Sequence, residues 1–338
     1  MATNPHFTPS PLQVPDSHKG CDVMIFLEDA HVETSALFHA QKVANAFSGK
    51  VVLVHIMADP HDGKGPIDPV DWNIKKQKIM KDLAERARPF AGEDGPECEV
   101  KLLEGQCIGQ VSDFVDHRQG GIAAALRSTD GLGWQSSDTA CGVLLSQSAA
   151  ILMIPARAKG GQDRRYRRIL VPLDGSVRAE AALPKAVLLA KAENAELLLC
   201  YVVPSVGLTA FGVKDKKSEK LHEMVAIKNE QAGKRHLGSI KKSLAHNGLK
   251  VSTSIVHVGD VRRAILSFVS EKAVDFLVMA THGQSGHGDV ATGDVARFIL
   301  DRAEIPVLMV RHKHSRDNVH AFNTVSSKGV RQPVGTDG

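Results

Sequence analysis

The chain has 338 residues, 43% of them hydrophobic and 24% charged, with a formal net charge of +4. That length suits two compact units and excludes a single small domain. Aromatics make up only 4%, so cores of Ala, Val, Leu and Ile fit helices packed on buried strands better than a β-sandwich filled with rings.

In chain order, residues 1–20 are polar and Pro-rich without the basic and apolar regions of a signal peptide, and are expected to be disordered. Val23 to Leu27 reads as a strand, Leu37, Ala40, Ala44 and Phe47 as a helix face, and Val51 to Ile56 as a second strand. Ile74 to Ala87 reads as a helix. Val100 to Leu103 runs into Gly105, and Val143-Leu144-Leu145 precedes the apolar run Ala150 to Ile154. Ala156 to Arg168 has no apolar periodicity and reads as a solvated linker.

The plan then repeats. Ile169 to Leu173 is a buried strand ending on Asp174-Gly175-Ser176, a helix-start signal. Leu183, Val187 and Ala190 recur at helical spacing, and Leu197 to Val203 is a second strand. A long charged helix is expected over Ser218 to His246, and Lys250 to Val258 alternates as a half-exposed strand does. Asp260 can cap a helix whose face is Ile265, Phe268 and Val269. Phe276 to Met279 is a strand, Val295, Ile299 and Leu300 mark a last helix, and Pro306 to Val310 is a fifth strand.

Such alternation predicts an α/β fold: two tandem doubly wound domains, each a five-stranded parallel sheet of order 3-2-1-4-5 with helices on both faces. The expected boundaries are 21–156 and 167–312, with a linker at 157–166 and a disordered tail at 313–338. Duplicated units most simply pack as a pseudo-dimer. Five widely spaced cysteines without CxxC argue against disulfides and structural zinc and for a cytoplasmic setting. No apolar stretch is long enough for a membrane span, and no basic face interleaved with aromatics suggests nucleic acid.

In a doubly wound sheet, ligands bind outside the carboxyl ends of the strands, where strand order reverses. That nominates Asp174, Tyr201-Val202 and the loop ATHGQSGHGDVATGDV, Ala280 to Val295. Gly288-x4-Gly293 has phosphate-loop spacing, but Asp294-Val295 stands where Lys-Ser/Thr is required. No GxGxxG follows a first strand and no GxSxG elbow occurs. His282, His287 and Asp289 fit solvated loop residues better than metal ligands. Nothing in these patterns argues for an enzyme.

RRILVPLDGS at Arg167 to Ser176, VDFLVMATHG at Val274 to Gly283, and the ending Gly293, Ile299, Pro306 to Val310 resemble the universal stress protein family. The family's nucleotide-binding members carry Gly-x2-Gly-x9-Gly-Ser/Thr; this chain has Ala280-x2-Gly283-x9-Gly293-Asp294. The resemblance implies a tandem protein whose second half binds an adenine nucleotide (ATP, AMP or cAMP) as a stress-adaptive sensor or regulator, with at most slow hydrolysis. It places Pro172, Leu173 and Asp174 on the ribose or adenine side and the Val202 backbone at the adenine. Met279, Ala280, Thr281, His282 and Gly283 fall by the ribose and α-phosphate, and Gly293, Asp294 and Val295 by the outer phosphates. Asp294 would repel a phosphate at 4 Å by up to about 4 kcal/mol, against roughly 8 kcal/mol for a micromolar ligand. A Mg²⁺ bridging Asp294 to phosphate, a shorter ligand, or Asp294 acting only as a helix cap would each remove that conflict.

In the first half, Glu28 and Phe26 stand where Asp174 and Pro172 do, Arg127 to Gly131 replaces the glycine loop, and Ser137-Asp138 replaces Gly293-Asp294. That half is expected to be degenerate. The alternative function is a nucleotide-independent pseudo-dimeric scaffold for protein partners, with a further homodimer open.

Overall fold

The computed structural model describes residues 20–27, 34–57, 68–90, 98–118, 121–127, 137–146, 148–155, 158, 165–203, 216–245, 248–257, 260–283 and 292–311. The first half runs β1 (Val23–Leu27), α1 (Thr34–Ala46), β2 (Val51–Met57), α2 (Pro69–Ala87), β3 (Cys98–Glu104), α3 (Cys107–His117), β4 (Ile122–Arg127), α4 (Asp138–Leu145) and β5 (Ala150–Pro155). The second runs β6 (Arg168–Leu173), α5 (Val177–Glu180), α6 (Leu183–Glu193), β7 (Glu196–Val203), α7 (Lys216–Ala245), β8 (Val251–His257), α8 (Val261–Glu271), β9 (Phe276–Ala280), α9 (Asp294–Arg302) and β10 (Val307–Val310).

All ten strands form one sheet, ordered β3-β2-β1-β4-β5-β10-β9-β6-β7-β8. Within each half every pairing is parallel, which gives the expected order 3-2-1-4-5 twice. The halves join where β5 and β10 pair antiparallel, Met153 opposite Val307 and Ala150 opposite Val310.

Period-2 geometry explains the two cores. Val23, Ile25 and Leu27 face one side of the sheet, with Leu37, Val43, Leu83, Leu183 and Leu237 packed over them or their counterparts. Met24 and Phe26 face the other side, under Val111, Val143, Ile265 and Ile299. Each core layer crosses from one half into the other, and each fully buried Leu, Ile or Val contributes about 1.5–3 kcal/mol.

The structure departs from the sequence reading at three places. Helix α2 starts at Pro69, earlier than Ile74, because the Asp68 side chain accepts the Val70 N–H at 2.8 Å and proline suits a first turn. The five-stranded plan called for a helix and a fourth strand after Gly105 without placing them, and the structure puts them at Cys107–His117 (α3) and Ile122–Arg127 (β4). The end of the expected solvated linker is also not solvated: Tyr166 is buried, its OH 2.7 Å from His39 Nδ1 and its ring 4.9 Å from that of Phe276. Burial, with Glu193 and Asp275 nearby, holds the Tyr166 phenol well above its usual pKa, so it stays neutral.

Two arginines reach across the joint. Arg127, ending β4, donates Nη1 to the Leu300 carbonyl in the last turn of α9 at 2.9 Å. Arg311, just past β10, donates to the Leu144 and Ser146 carbonyls at the end of α4. Each half thus supplies a cation to the negative end of a helix in the other.

Among the cysteines, Cys200 is fully buried in β7, and desolvation pushes its thiol up to about 12 from 9.0, lowering its thiolate fraction roughly a thousandfold. Native protein at pH 8 should leave Cys200 unlabelled by iodoacetamide while denatured protein is fully labelled. Labelling of Cys200 at the unfolded rate, read by peptide mass spectrometry, would contradict this packing.

Candidate functional site

The parallel strands of the second half end at one pole, so Leu173, Val203 and Ala280 bring β6, β7 and β9 to the same surface. Asp174 follows β6. Its Oδ1 accepts the Ser176 N–H at 2.9 Å and the Ser176 hydroxyl at 2.6 Å, and Ser176 Oγ in turn caps α5 by accepting the Ala179 N–H at 3.1 Å. The carboxylate is therefore oriented by its own turn. Its second oxygen faces the loop after β9, where a Cβ added to Gly283 would lie 2.3 Å from Asp174 Oδ2. Any larger residue at 283 would force the carboxylate or the loop to move.

Next to Asp174 stands Tyr201 of β7, paired across the sheet with Leu173. Its ring lies against Gly233 of α7, where a Cβ would come within 2.5 Å of the ring. Burial first, and the negative charge of Asp174 second, raise the Tyr201 phenol pKa, so at neutral pH it is a hydrogen-bond donor. Leu173, Val202 and Met279 are buried and Pro172 is half-buried, with Val202 and Met279 on one face of the sheet and Leu173 on the other.

The loop is pinned at its base. Thr281, buried, donates its N–H to the Val310 carbonyl at 3.0 Å and accepts the Gly293 N–H on its own carbonyl at 2.9 Å. His282 Nδ1 is 3.2 Å from Thr281 Oγ1. His287, Gly288 and Asp289 lie outside the described residues.

At the start of α9 the structure differs from the cap reading of Asp294. Gly293 is the N-cap (φ −66°, ψ 159°), with no side-chain cap hydrogen bond, and Asp294 is already the first helical residue. The N–H groups of Asp294, Val295 and Ala296 therefore have no acceptor within the helix, whereas the Gly293 N–H is committed to Thr281. The Asp294 carboxylate points to α8: Arg262 Nη1 is 3.0 Å from Asp294 Oδ2. Arg262 also grips Asp260, Nε to Oδ1 and Nη2 to Oδ2, both at 3.1 Å, while Asp260 caps α8 through the Arg262 N–H at 2.9 Å. Sequence reasoning missed Arg262. Its only local signal was Asp260-Val261-Arg262 at a helix start, and nothing there pointed to Asp294.

The first half is built differently at the same level. Ser137 is the N-cap of α4, and its Oγ accepts the Ala140 N–H at 3.0 Å. Gly293, the N-cap of α9, has no such hydroxyl. Phe26, 1% exposed, meets Phe114 edge-on at 6.1 Å, and His55 Nδ1 lies 3.0 Å from the Leu27 carbonyl. Glu28 and Ser128 to Gly131 lie outside the described residues. Among the described residues there is no group of three or more His, Cys, Asp or Glu placed to hold a metal, and no helix is long and apolar enough to cross a membrane.

The class of the protein follows from these features: a tandem, doubly wound α/β protein whose second half brings a helix start with a glycine N-cap and a glycine-bearing loop to the strand-reversal pole. Residues 165–311 match the model of the universal stress protein family. Universal stress protein MJ0531 of Methanocaldococcus jannaschii is 34% identical over 152 residues, covering 44% of this chain and 84% of that protein. Universal stress protein MJ0577 of the same organism is 31% identical over 162 residues, covering 44% of this chain and 98% of the other. A solved universal stress protein from Archaeoglobus fulgidus, 16% identical, superposes with a TM-score of 0.59 over 86% of this chain and 96% of its own, a likeness of fold that spans both halves. The chain belongs to the universal stress protein family.

Proposed function

We propose that the second half binds an adenine nucleotide at this pole and that the protein acts in stress adaptation as a sensor or regulator, through binding rather than turnover. The observation that carries this reading is the contrast between the two helix starts. Ser137 folds back on α4, whereas Gly293, the N-cap of α9, has no side chain to turn toward that helix's first-turn N–H groups. Such donors favour an anion, since they combine free N–H groups with the positive end of the helix dipole.

The residues present fit an adenine nucleotide. Asp174, oriented by Ser176 and beside the close-passing Gly283, is suited to ribose hydroxyls, which donate to a carboxylate. The Val202 backbone near the end of β7, among buried apolar residues, suits a flat apolar base. Ala280 to Gly283 would serve the ribose and first phosphate, and Asp294 and Val295 N–H groups a phosphate beyond it. A Mg²⁺ held by Asp294 would compete with Arg262 for that carboxylate. In this reading the first half is a packing partner, and the β5–β10 joint makes a built-in pseudo-dimer of the two halves.

Calorimetry with ATP, AMP and cAMP, each with and without Mg²⁺, tests the reading. Binding of at least one at micromolar Kd is expected. Absence of heat with all of them overturns it in favour of a nucleotide-independent scaffold.

A further inference from the structure

Asp294 and Arg262 form the charged rim of the proposed site, and their pairing bears on which nucleotide it takes. Arg262 spends three of its nitrogens on protein: Nε and Nη2 on Asp260, Nη1 on Asp294. Its fork toward α9 is therefore occupied. Asp260 and Asp294 together outweigh the single guanidinium, so the trio leaves one net negative charge beside the first turn of α9. The Asp294 side chain is 79% exposed at the first position of α9, so this charge lies on the solvent side of the helix start, where the adenine-nucleotide reading puts the outer phosphates. A phosphate next to the ribose needs only backbone N–H groups near Ala280 to Gly283. Second and third phosphates must run past a carboxylate whose partner Arg262 is already shared with Asp260.

We infer that Asp294, held in place by Arg262, is a specificity-determining residue that restricts the site to adenine nucleotides carrying a single phosphate when no divalent cation is present. The inference rests on the adenine-nucleotide reading above. The pair acts by charge: Arg262 halves the penalty by neutralising one of two carboxylates and fixes the other where the β-phosphate would pass. Asp294→Ser removes the net charge and supplies a hydroxyl at the first helical position. Arg262→Ala does the reverse, leaving both carboxylates unneutralised. A charge filter therefore predicts opposite signs for two variants that break the same ion pair, whereas a purely structural role for the pair predicts the same sign.

The test is calorimetry in EDTA with AMP and ATP on the full chain, as wild type, Asp294→Ser and Arg262→Ala, with melting curves to confirm folding. Wild type should bind AMP at least about tenfold tighter than ATP, the size expected of one screened charge contact. Asp294→Ser should tighten ATP about tenfold and leave AMP within about twofold, and Arg262→Ala should weaken ATP further. Wild type binding ATP as tightly as AMP without metal would overturn the inference, as would both variants moving ATP the same way or not at all. AMP binding with an unaltered preference sinks the filter alone; no binding of either nucleotide to wild type or Asp294→Ser sinks the nucleotide reading with it.

Discussion

Replacing Arg311 with alanine is expected to lower the unfolding free energy by about 3 kcal/mol, since hydrogen bonds from a charged donor are worth about 1.5–3 kcal/mol each and their loss strands the acceptors. The side chain is partly buried between the halves and bonds the Leu144 and Ser146 carbonyls at the end of α4. Burial lowers its pKa to about 10, partly offset by Asp116, so it remains a cation at neutral pH. Its one planar fork serves both carbonyls, and α4 has no basic residue in its own last turn. Lysine should recover only part of the loss, because one ammonium cannot reproduce a planar fork on two acceptors. Urea denaturation with a constant m-value would measure the effect. A change below about 1 kcal/mol would mean that water replaces the guanidinium at no cost, and that the arginine is not a clamp between halves.

Gly283→Ala should weaken nucleotide binding by roughly ten- to a hundredfold while leaving the fold intact, which corresponds to about 1.4–2.8 kcal/mol. The added methyl carbon would sit 2.3 Å from Asp174 Oδ2. The carboxylate can swing away, but only by giving up its bonds to the Ser176 N–H and hydroxyl, and otherwise the loop itself must lift. Either way the geometry proposed to face the ribose is lost. The mechanism can be isolated by a double-mutant cycle: Asp174→Ala should weaken binding alone, and adding Gly283→Ala to it should cost little more, because the colliding oxygen is gone. Calorimetry on the four proteins decides it. Strictly additive losses would show that the methyl group acts on something other than Asp174.

The sequence-to-structure comparison separates what is local from what is not. Strand β1, VMIFL, was legible because five consecutive apolar residues between polar ones can only be buried on both sides. Strand β4, IAAALR, was not, because alanine favours helix and carries little strand preference. Its first four residues become strand because they are fully buried between β1 and β5. The strand order within each half was readable from alternation and handedness. The antiparallel joint was expressed only as an expected pseudo-dimer, since β5 and β10 are buried apolar runs that carry no label for their neighbour.

At the site, Asp174, Gly283 and Gly293 were legible because a turn, a close backbone approach and a helix start each leave a residue-type signature. Asp294 was legible as an oddity but not in its role. Its partner lies 32 residues away on another helix, and an exposed arginine leaves no pattern that singles it out. The same holds for Arg127 and Arg311, whose acceptors lie 173, 167 and 165 residues distant. Sequence periodicity reports which face is buried. It does not report which distant carbonyl a cation will find.

The seam between β5 and β10 also sets an order of events during synthesis. β5 ends at Pro155 and β10 begins at Val307, so the ribosome must add about 150 more residues before the inner edge of the first half can be covered. At about 5–20 residues per second that interval is roughly 8–30 s. Throughout it, a strand with every residue buried in the finished protein stands with one row of backbone donors and acceptors unmatched. The carbonyls that close α4 wait as long for Arg311. The nascent first half is thus an aggregation-prone intermediate by construction, and the second half is, in the life of each molecule, first of all the strand that shields it.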